Sequence, residues 1–108
     1  MIEKKKKGGN TAIKNNHFAQ WLFIKIKSKK TFISRFTYFQ NGKEIRKYND
    51  RDLYRWCHGY NFPKTPILGE LINDLHIYTG IPKCDLMIEC LDALSKDFRE
   101  YQIEQSKS

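Results

Sequence analysis

The chain has 108 residues, enough for one domain with a modest core, and its 20 Lys and Arg against 12 Asp and Glu give a net charge of +8. No apolar run approaches the ~18 residues of a membrane span. The basic start at 4–7 is followed by Gly and Asn instead of an apolar stretch, which argues against a signal peptide. Three cysteines without a C-x-x-C motif argue against a disulfide framework and a structural zinc site. We therefore expect a cytoplasmic protein without metal, cofactor or membrane contact.

Positive charge is concentrated in the first part of the chain. Residues 1–64 hold 16 Lys and Arg against 4 Asp and Glu, whereas residues 65–108 hold 4 against 8. Such an asymmetry is typical of a polyanion-binding surface, because each Lys or Arg near a phosphate releases a condensed counterion. A lysine-rich solvated surface would give the same composition, so the choice depends on the motifs inside the basic half.

The first 15 residues are polar and carry a run of four lysines: Lys4, Lys5, Lys6 and Lys7. This composition predicts a flexible basic arm over 1–15. The arm would wrap DNA or RNA if the body of the protein binds nucleic acid, and would otherwise be a solubilising tail.

Residues 17–48 allow two interpretations. Their apolar residues fall at helical spacing, which predicts amphipathic helices over 17–29 and 31–39. However, 24–27 alternates apolar and basic residues, β-branched and aromatic residues are frequent after it, and Asn41-Gly42 is a hairpin turn signal. These features predict a three-stranded meander through 21–27, 31–39 and 43–48.

From residue 49 onward the signals agree on three helices. Asn49 or Asp50 can cap a short helix that stops at Gly59. Pro66 suits the first turn of a second helix, and Pro82 opens a last one. We expect a mainly α fold of about five helices, with an α+β fold containing the meander in 21–48 as the alternative.

The helix predicted over 50–58 carries the pattern that points to a function. If its apolar residues pack inward, Arg51 and Arg55 stand one turn apart on the outward face, flanked by Tyr54 and His58. A helix that reads the major groove needs bidentate donors of this kind on a surface held from behind by large apolar residues. An ordinary surface helix with two solvated arginines would show the same pattern. Basic residues on either side could reach phosphates: Lys43, Arg46, Lys47 and Lys64.

A longer motif surrounds this helix. It consists of Leu53-Tyr54-Arg55-Trp56-Cys57-His58-Gly59, Phe62-Pro63, the leucines Leu68, Leu71 and Leu75, and Asp85-Leu86. Over 50–94 the chain resembles the Cro/C1 repressor-like (XRE-type) helix-turn-helix family. The connection 40–49 is longer than the tight turn of that family. The resemblance implies a compact lambda-repressor-like DNA-binding domain over 16–103, followed by a frayed tail at 104–108.

The resemblance also implies roles for individual residues. The base-reading residues would be Asp50, Arg51, Tyr54 and Arg55. The phosphate contacts would be Lys43, Arg46, Lys47, Asn49, His58, Gly59, Tyr60, Asn61 and Lys64. Because Asp50 and Asp52 would face a polyanion, we expect at least one of them to serve in helix capping instead.

The last helix carries a second pattern. Five residues follow a four-three-four-three spacing, close to a heptad seam: Met87, Leu91, Leu94, Phe98 and Tyr101. This seam predicts a homodimer that places two recognition helices on half-sites about one DNA turn apart. The same stripe could instead close the core of the monomer.

Catalysis is not expected. The three histidines lie far apart in the sequence, and none pairs with Cys, Asp or Glu at metal-ligand spacing on one helix face. Cys57 is expected to be a small buried thiol.

We therefore predict a sequence-specific regulator of transcription that binds double-stranded DNA as a homodimer in the cytoplasm, at the nucleoid, and acts by occupying its operator. One rival is an RNA- or single-strand-binding module in which bases stack on an exposed sheet face formed by Trp21, Phe32, Phe36, Tyr38 and Phe39. A second rival is a small inhibitor that occupies the nucleic-acid groove of another protein.

Overall fold

The computed structural model describes residues 16–106, which form five helices and one hairpin. The elements are α1 (Asn16–Ile26), α2 (Lys29–Arg35), β1 (Thr37–Gln40), β2 (Lys43–Arg46), α3 (Asp50–Cys57), α4 (Thr65–Thr79) and α5 (Lys83–Ser106). The prediction of a mainly α fold with about five helices is confirmed. The predicted basic arm, with Lys4 to Lys7, lies outside the described residues. Within the described part, no helix is both long and apolar enough to cross a bilayer.

Helix α1 is held at both ends by side chains from the second half of the chain. The buried carboxylate of Asp97 on α5 accepts hydrogen bonds from the backbone N–H groups of His17, at 2.8 Å, and Phe18, at 3.0 Å. At the other end, the Tyr78 hydroxyl on α4 donates to the carbonyl of Ile26 at 2.8 Å. Both contacts satisfy backbone groups that a helix leaves unpaired at its ends, so they fix α1 against α4 and α5.

Helix α2 is short because its sequence supplies a start and a stop. Ser28 caps it by accepting a hydrogen bond from the N–H of Thr31 at 3.2 Å. The helix ends at Arg35, and the Thr37 hydroxyl then donates to the carbonyl of Ile33 at 2.6 Å. The helix predicted over 31–39 is therefore wrong in its second half, where β-branched and aromatic residues enter a strand instead.

The hairpin pairs β1 with β2 in antiparallel register, with Phe39 opposite Glu44. Asn41 and Gly42 connect the strands with φ angles of 54° and 77°. Positive φ at both central residues is the type I′ geometry that matches the twist of the flanking strands. The turn signal at 41–42 is thus confirmed, but the three-stranded meander is wrong, because its first predicted strand, 21–27, belongs largely to α1.

The aromatic residues assigned to an exposed sheet face mostly lie in the core. Phe32 is fully buried, and Trp21 and Phe36 are partly buried and pack against the core. Of the five residues, Tyr38 and Phe39 are the two that are exposed. The base-stacking surface proposed for an RNA-binding module is therefore not formed.

The core is an aromatic and aliphatic cluster to which all five helices contribute. Phe32 of α2 lies at its centre, with the ring centroids of Phe36, Tyr48 and Tyr78 at 5.0, 5.0 and 5.1 Å. The fully buried side chains are Phe18, Leu22, Ile26, Phe32, Leu53, Leu71, Leu75 and Leu86. This packing holds α3 against α1 and α2.

Helix α5 extends farther than predicted. Helix α4 ends at Thr79 and is capped by Gly80, whose φ of 81° suits a residue without a side chain. The next helix then continues to Ser106, so 104–106, predicted as part of a frayed tail, continue α5 with exposed side chains.

Candidate nucleic-acid interface

Helix α3 separates an apolar face from a basic one. Leu53, Trp56 and Cys57 are buried, whereas Arg51 and Arg55 are exposed one turn apart. This is the arrangement that the sequence pattern predicts, and it arises because α1, α2 and the core cover the opposite side of the helix.

Both arginines have their charges available. Neither Arg51 nor Arg55 forms an ion pair with any residue between 16 and 106. Together with Tyr54, Tyr60 and Asn61 they line one open cleft on the surface. The structure therefore brings together three of the four predicted base-reading residues and two residues of the following loop.

Aromatic rings form one wall of this cleft. The ring centroid of Tyr54 lies 4.1 Å from that of His58 and 6.2 Å from that of Tyr60. The rings of Tyr54 and Tyr60 are nearly parallel. The Nζ atom of Lys29 on α2 lies 5.4 Å from the centroid of the Tyr54 ring, a cation–π distance. These contacts restrict the Tyr54 side chain and bring a third cation to the arginine face.

The chain changes direction sharply at the C-terminal end of α3. His58 is its C-cap, Gly59 adopts a φ of 78°, and the N–H of Tyr60 donates to the carbonyl of Arg55 at 2.9 Å. This bond is the 6→1 contact of a Schellman motif. It turns the chain back, so that Tyr60 and Asn61 lie beside the arginines.

The segment before α3 is anchored to α4. The Tyr48 hydroxyl donates to the buried carboxylate of Asp74, and Lys47 forms ion pairs with Asp74 at 2.8 Å and Glu70 at 3.2 Å. The hydrogen bond to Asp74 raises the pKa of Lys47 above its usual value, and burial together with Asp74 raises that of Tyr48. Lys47 was predicted to contact phosphate, but two acids already match its charge. We therefore reassign it to positioning α3.

Two further predicted residues have other partners. Asn49 caps α3 by accepting a hydrogen bond from the N–H of Asp52 at 2.7 Å, so its side-chain oxygen is occupied. Asp50 does not line the arginine cleft; it lines a separate groove between α2 and the hairpin. The expectation that Asp50 or Asp52 caps the helix is therefore wrong, because Asn49 is the cap. Asp50 and Asp52 lie in the first turn, where negative charge is favourable.

The remaining predicted phosphate contacts are distributed around α3. Lys43 is exposed on the hairpin, and Lys64, the residue before α4, is exposed as well. Arg46 lies 3.7 Å from Glu44 in a loose surface ion pair. Of these three residues, Lys43 and Lys64 form no ion pair within 16–106.

The structure adds residues that the sequence pattern did not indicate. Lys29 lies over Tyr54, and its neighbour Lys30 lines the groove between α2 and the hairpin. Ser28 followed by two lysines is a sequence pattern that predicts a helix with a basic first turn. No local pattern predicts that this turn lies beside α3.

The predicted dimer seam lies mainly on the surface. Four of its residues are between 47% and 64% exposed: Met87, Leu91, Phe98 and Tyr101. Leu94 differs, because it is partly buried and packs against the core. The inward face of α5 is instead formed by Leu86, Cys90, Ala93 and Asp97, so the stripe does not close the core of the monomer.

Two of the cysteines, Cys57 and Cys90, are buried in the core. Burial raises the pKa of the Cys57 and Cys90 thiols to about 11 each, so both are protonated near neutral pH. No cluster of three His, Cys, Asp or Glu residues that could hold a metal ion occurs in the part of the chain that the structure describes.

Comparisons with protein-family models, with curated proteins and with solved structures find no match to this chain.

Proposed function

We propose that the protein is a sequence-specific binder of double-stranded DNA that regulates transcription by occupying its site. Helix α3 enters the major groove, and Arg51 and Arg55 read base edges. The resemblance of 50–94 to Cro/C1 repressor-like proteins supports the same role. The protein would act by binding DNA, without a chemical step. Its proposed location is the nucleoid in the cytoplasm.

The observation that carries this proposal is the unpaired arginine face of α3. Two guanidinium groups stand one turn apart on a helix whose opposite side is buried, and no acid in 16–106 neutralises them. Arg pairs in a bidentate manner with guanine O6 and N7, the commonest specific contact in the major groove. A helix fixed by its core can present such donors at a defined depth.

The residues around α3 support phosphate contacts beside the reading helix. Lys29 lies beside Tyr54 before the helix, and Tyr60, Asn61 and Lys64 follow it. Contacts to phosphate set the register of a reading helix without carrying sequence information. The anchor formed by Lys47 and its acids keeps this frame rigid.

A second copy of the chain is the proposed partner of the exposed stripe on α5. The helix has 24 residues, about 36 Å. Five charged residues follow their own three- and four-residue spacing and therefore share a different face of α5 from the seam: Asp85, Glu89, Asp92, Lys96 and Arg99. Four apolar side chains are exposed along this stripe, contiguous apolar exposure marks interaction surfaces, and a heptad seam is complementary to another copy of itself. Two α3 helices would then meet half-sites related by two-fold symmetry.

The dimer has a direct test. Leu91→Glu is expected to convert a dimer into a monomer in analytical ultracentrifugation, because it places a charge in the middle of the seam. Ile24→Glu is the matched control, since Ile24 and Leu91 are both 62% exposed. A wild-type protein that sediments as a monomer at micromolar concentration contradicts the dimer but leaves DNA reading by one α3 helix intact.

The test of the function is selection of bound duplexes from a random DNA library at physiological salt, followed by sequencing. Enrichment of a palindrome or of one half-site is expected. Retention without enrichment would mean that the basic surface binds DNA by charge only, and would contradict base reading by α3. No retention would contradict DNA binding altogether.

A further inference from the structure

The hairpin formed by β1 and β2 has a fixed base and a solvent-exposed outer part. All residues from 38 to 44 are exposed. The base is fixed, because Phe36 and Tyr48 on its two sides both pack on Phe32 with ring centroids 5.0 Å away, and the N–H of Lys47 donates to the carbonyl of Phe36 at 3.2 Å. Four residues per strand carry the tip about 13 Å from this base.

The tip presents an aromatic side chain that the fold does not use. Phe39 is 74% exposed, the highest value among the large apolar side chains in 16–106. The Asn41-Gly42 turn fixes the register in which Phe39 pairs with Glu44, and so fixes the face of the ribbon that carries the ring. Leaving a Phe ring in water forgoes the stabilisation that burial would give, so a surface that covers this ring would gain free energy.

The charge around the hairpin indicates what that surface is. Helix α2 beside it carries Lys29, Lys30 and Arg35 and no acidic residue. The groove between α2 and the hairpin contains the cations Lys30 and Arg46 with the acids Glu44 and Asp50, and Glu44 is paired with Arg46. A basic helix next to an exposed aromatic ring fits a nucleic-acid duplex, because its phosphates lie on the outside and its flat bases are stacked inside.

The hairpin and the arginine face of α3 are neighbours across the first turn of α2. Lys29 contacts Tyr54 in the arginine cleft, and the next residue, Lys30, lines the groove against the hairpin. Three residues separate the end of β2 from the start of α3, and two of them, Lys47 and Tyr48, are anchored to Asp74. The base of the hairpin and the start of α3 are therefore held close to each other by the same anchor.

We infer that the hairpin is a second DNA-contacting element, which inserts Phe39 against a base step in the minor groove next to the segment that α3 occupies. Apolar wedges of this kind partly unstack a step and bend the duplex. Pyrimidine–purine steps are the easiest to unstack, so the contact would select a deformable step at a fixed distance from the bases read by the arginines. This inference rests on the proposed function, since it requires a bound duplex.

The experiment uses duplexes from the enriched pool, or random-sequence duplexes if none is enriched, with 2-aminopurine placed at successive positions. The full-length protein is expected to raise the fluorescence at one step outside the α3 contact, which reports unstacking. Phe39→Ala is expected to abolish this rise and to weaken binding roughly tenfold. The melting temperature of the Phe39→Ala protein should equal that of the wild type, because the ring is exposed.

Tyr38→Ala is the matched control, since Tyr38 is also exposed but lies on the opposite face of the ribbon. It should keep the fluorescence rise. If duplexes bind but no step responds and Phe39→Ala binds as well as the wild type, the wedge is disproved while base reading by α3 stands. If Phe39→Ala changes the oligomeric state instead, Phe39 contacts protein and the inference is overturned. If no duplex binds, both proposals fail.

Discussion

Lys47 and Arg55 lie eight residues apart, carry the same charge, and were both expected to face DNA, yet the fold uses them in opposite ways. The Nζ atom of Lys47 lies within 3.2 Å of two carboxylates, one of them on the buried Asp74. Arg55 has no acidic partner within 16–106 and lines an open cleft. A matched cation stabilises the fold, whereas an unmatched one is available for a ligand. Position in the sequence does not distinguish them.

The largest effect that would sharpen this contrast is on stability. Asp74→Ala removes the acceptor of both Tyr48 and Lys47 from a buried position, and we expect it to lower the free energy of unfolding by about 2–4 kcal/mol. Urea denaturation measures this value. Glu70→Ala is the control, because its side chain is 63% exposed and should cost little. Equal effects of the two substitutions would show that Asp74 does not anchor α3.

The next effect concerns base reading. Arg55→Ala is expected to reduce discrimination at one base position by ~1–3 kcal/mol and to leave the free energy of unfolding within about 0.5 kcal/mol of the wild-type value. Competition binding with single-base variants of the selected site measures the first quantity. Arg99→Ala is the control, because it removes the same charge from an exposed site on α5. Unchanged site preference in Arg55→Ala would remove Arg55 from the reading face.

A smaller effect, on the salt dependence of DNA binding, should distinguish Lys43 from Lys47. Lys43→Ala should reduce the slope of log affinity against log salt by about one, because its exposed charge is free to meet a phosphate. Lys47→Met should leave that slope unchanged, since its charge already has two partners. The measurement is duplex binding at several salt concentrations. A reduced slope in Lys47→Met would mean that the anchor opens on DNA.

The smallest effect is a change of stability with pH. The pKa values of Lys47 and Tyr48 are raised in the folded chain, so both groups hold protons more tightly than in the unfolded chain. Their contribution is fully present below about pH 10 and is lost as the pH rises through the folded-state values. The difference in unfolding free energy between wild type and Lys47→Met should therefore shrink above about pH 10. A constant difference would indicate that the lysine packs without electrostatic coupling.

Much of the local structure could be predicted from the sequence. The type I′ turn follows from Asn41-Gly42, the end of α4 from Gly80, and the two faces of α3 from the spacing of Arg51 and Arg55. These features depend on backbone preferences or helical periodicity within a few residues, which is information that the sequence carries directly.

Three outcomes depended on contacts between distant parts of the chain. Residues 24–27 alternate like a strand, but the segment up to Ile26 is helical because α1 is held by Asp97 and by Tyr78, which lie at least 52 residues away. Lys47 became an anchor because Asp74 is brought beside it. The heptad stripe of α5 stayed outside because Leu86, Cys90, Ala93 and Asp97 occupy the inward face.

The sequence by itself thus determined the mainly helical class, the hairpin turn and the arginine spacing of α3, because each is set by local conformational energy. Only the tertiary structure decided which charges are matched, where α1 begins and ends, and which apolar stripe is buried. Those properties depend on which groups meet across tens of residues, where desolvation and hydrogen bonding outweigh local propensity.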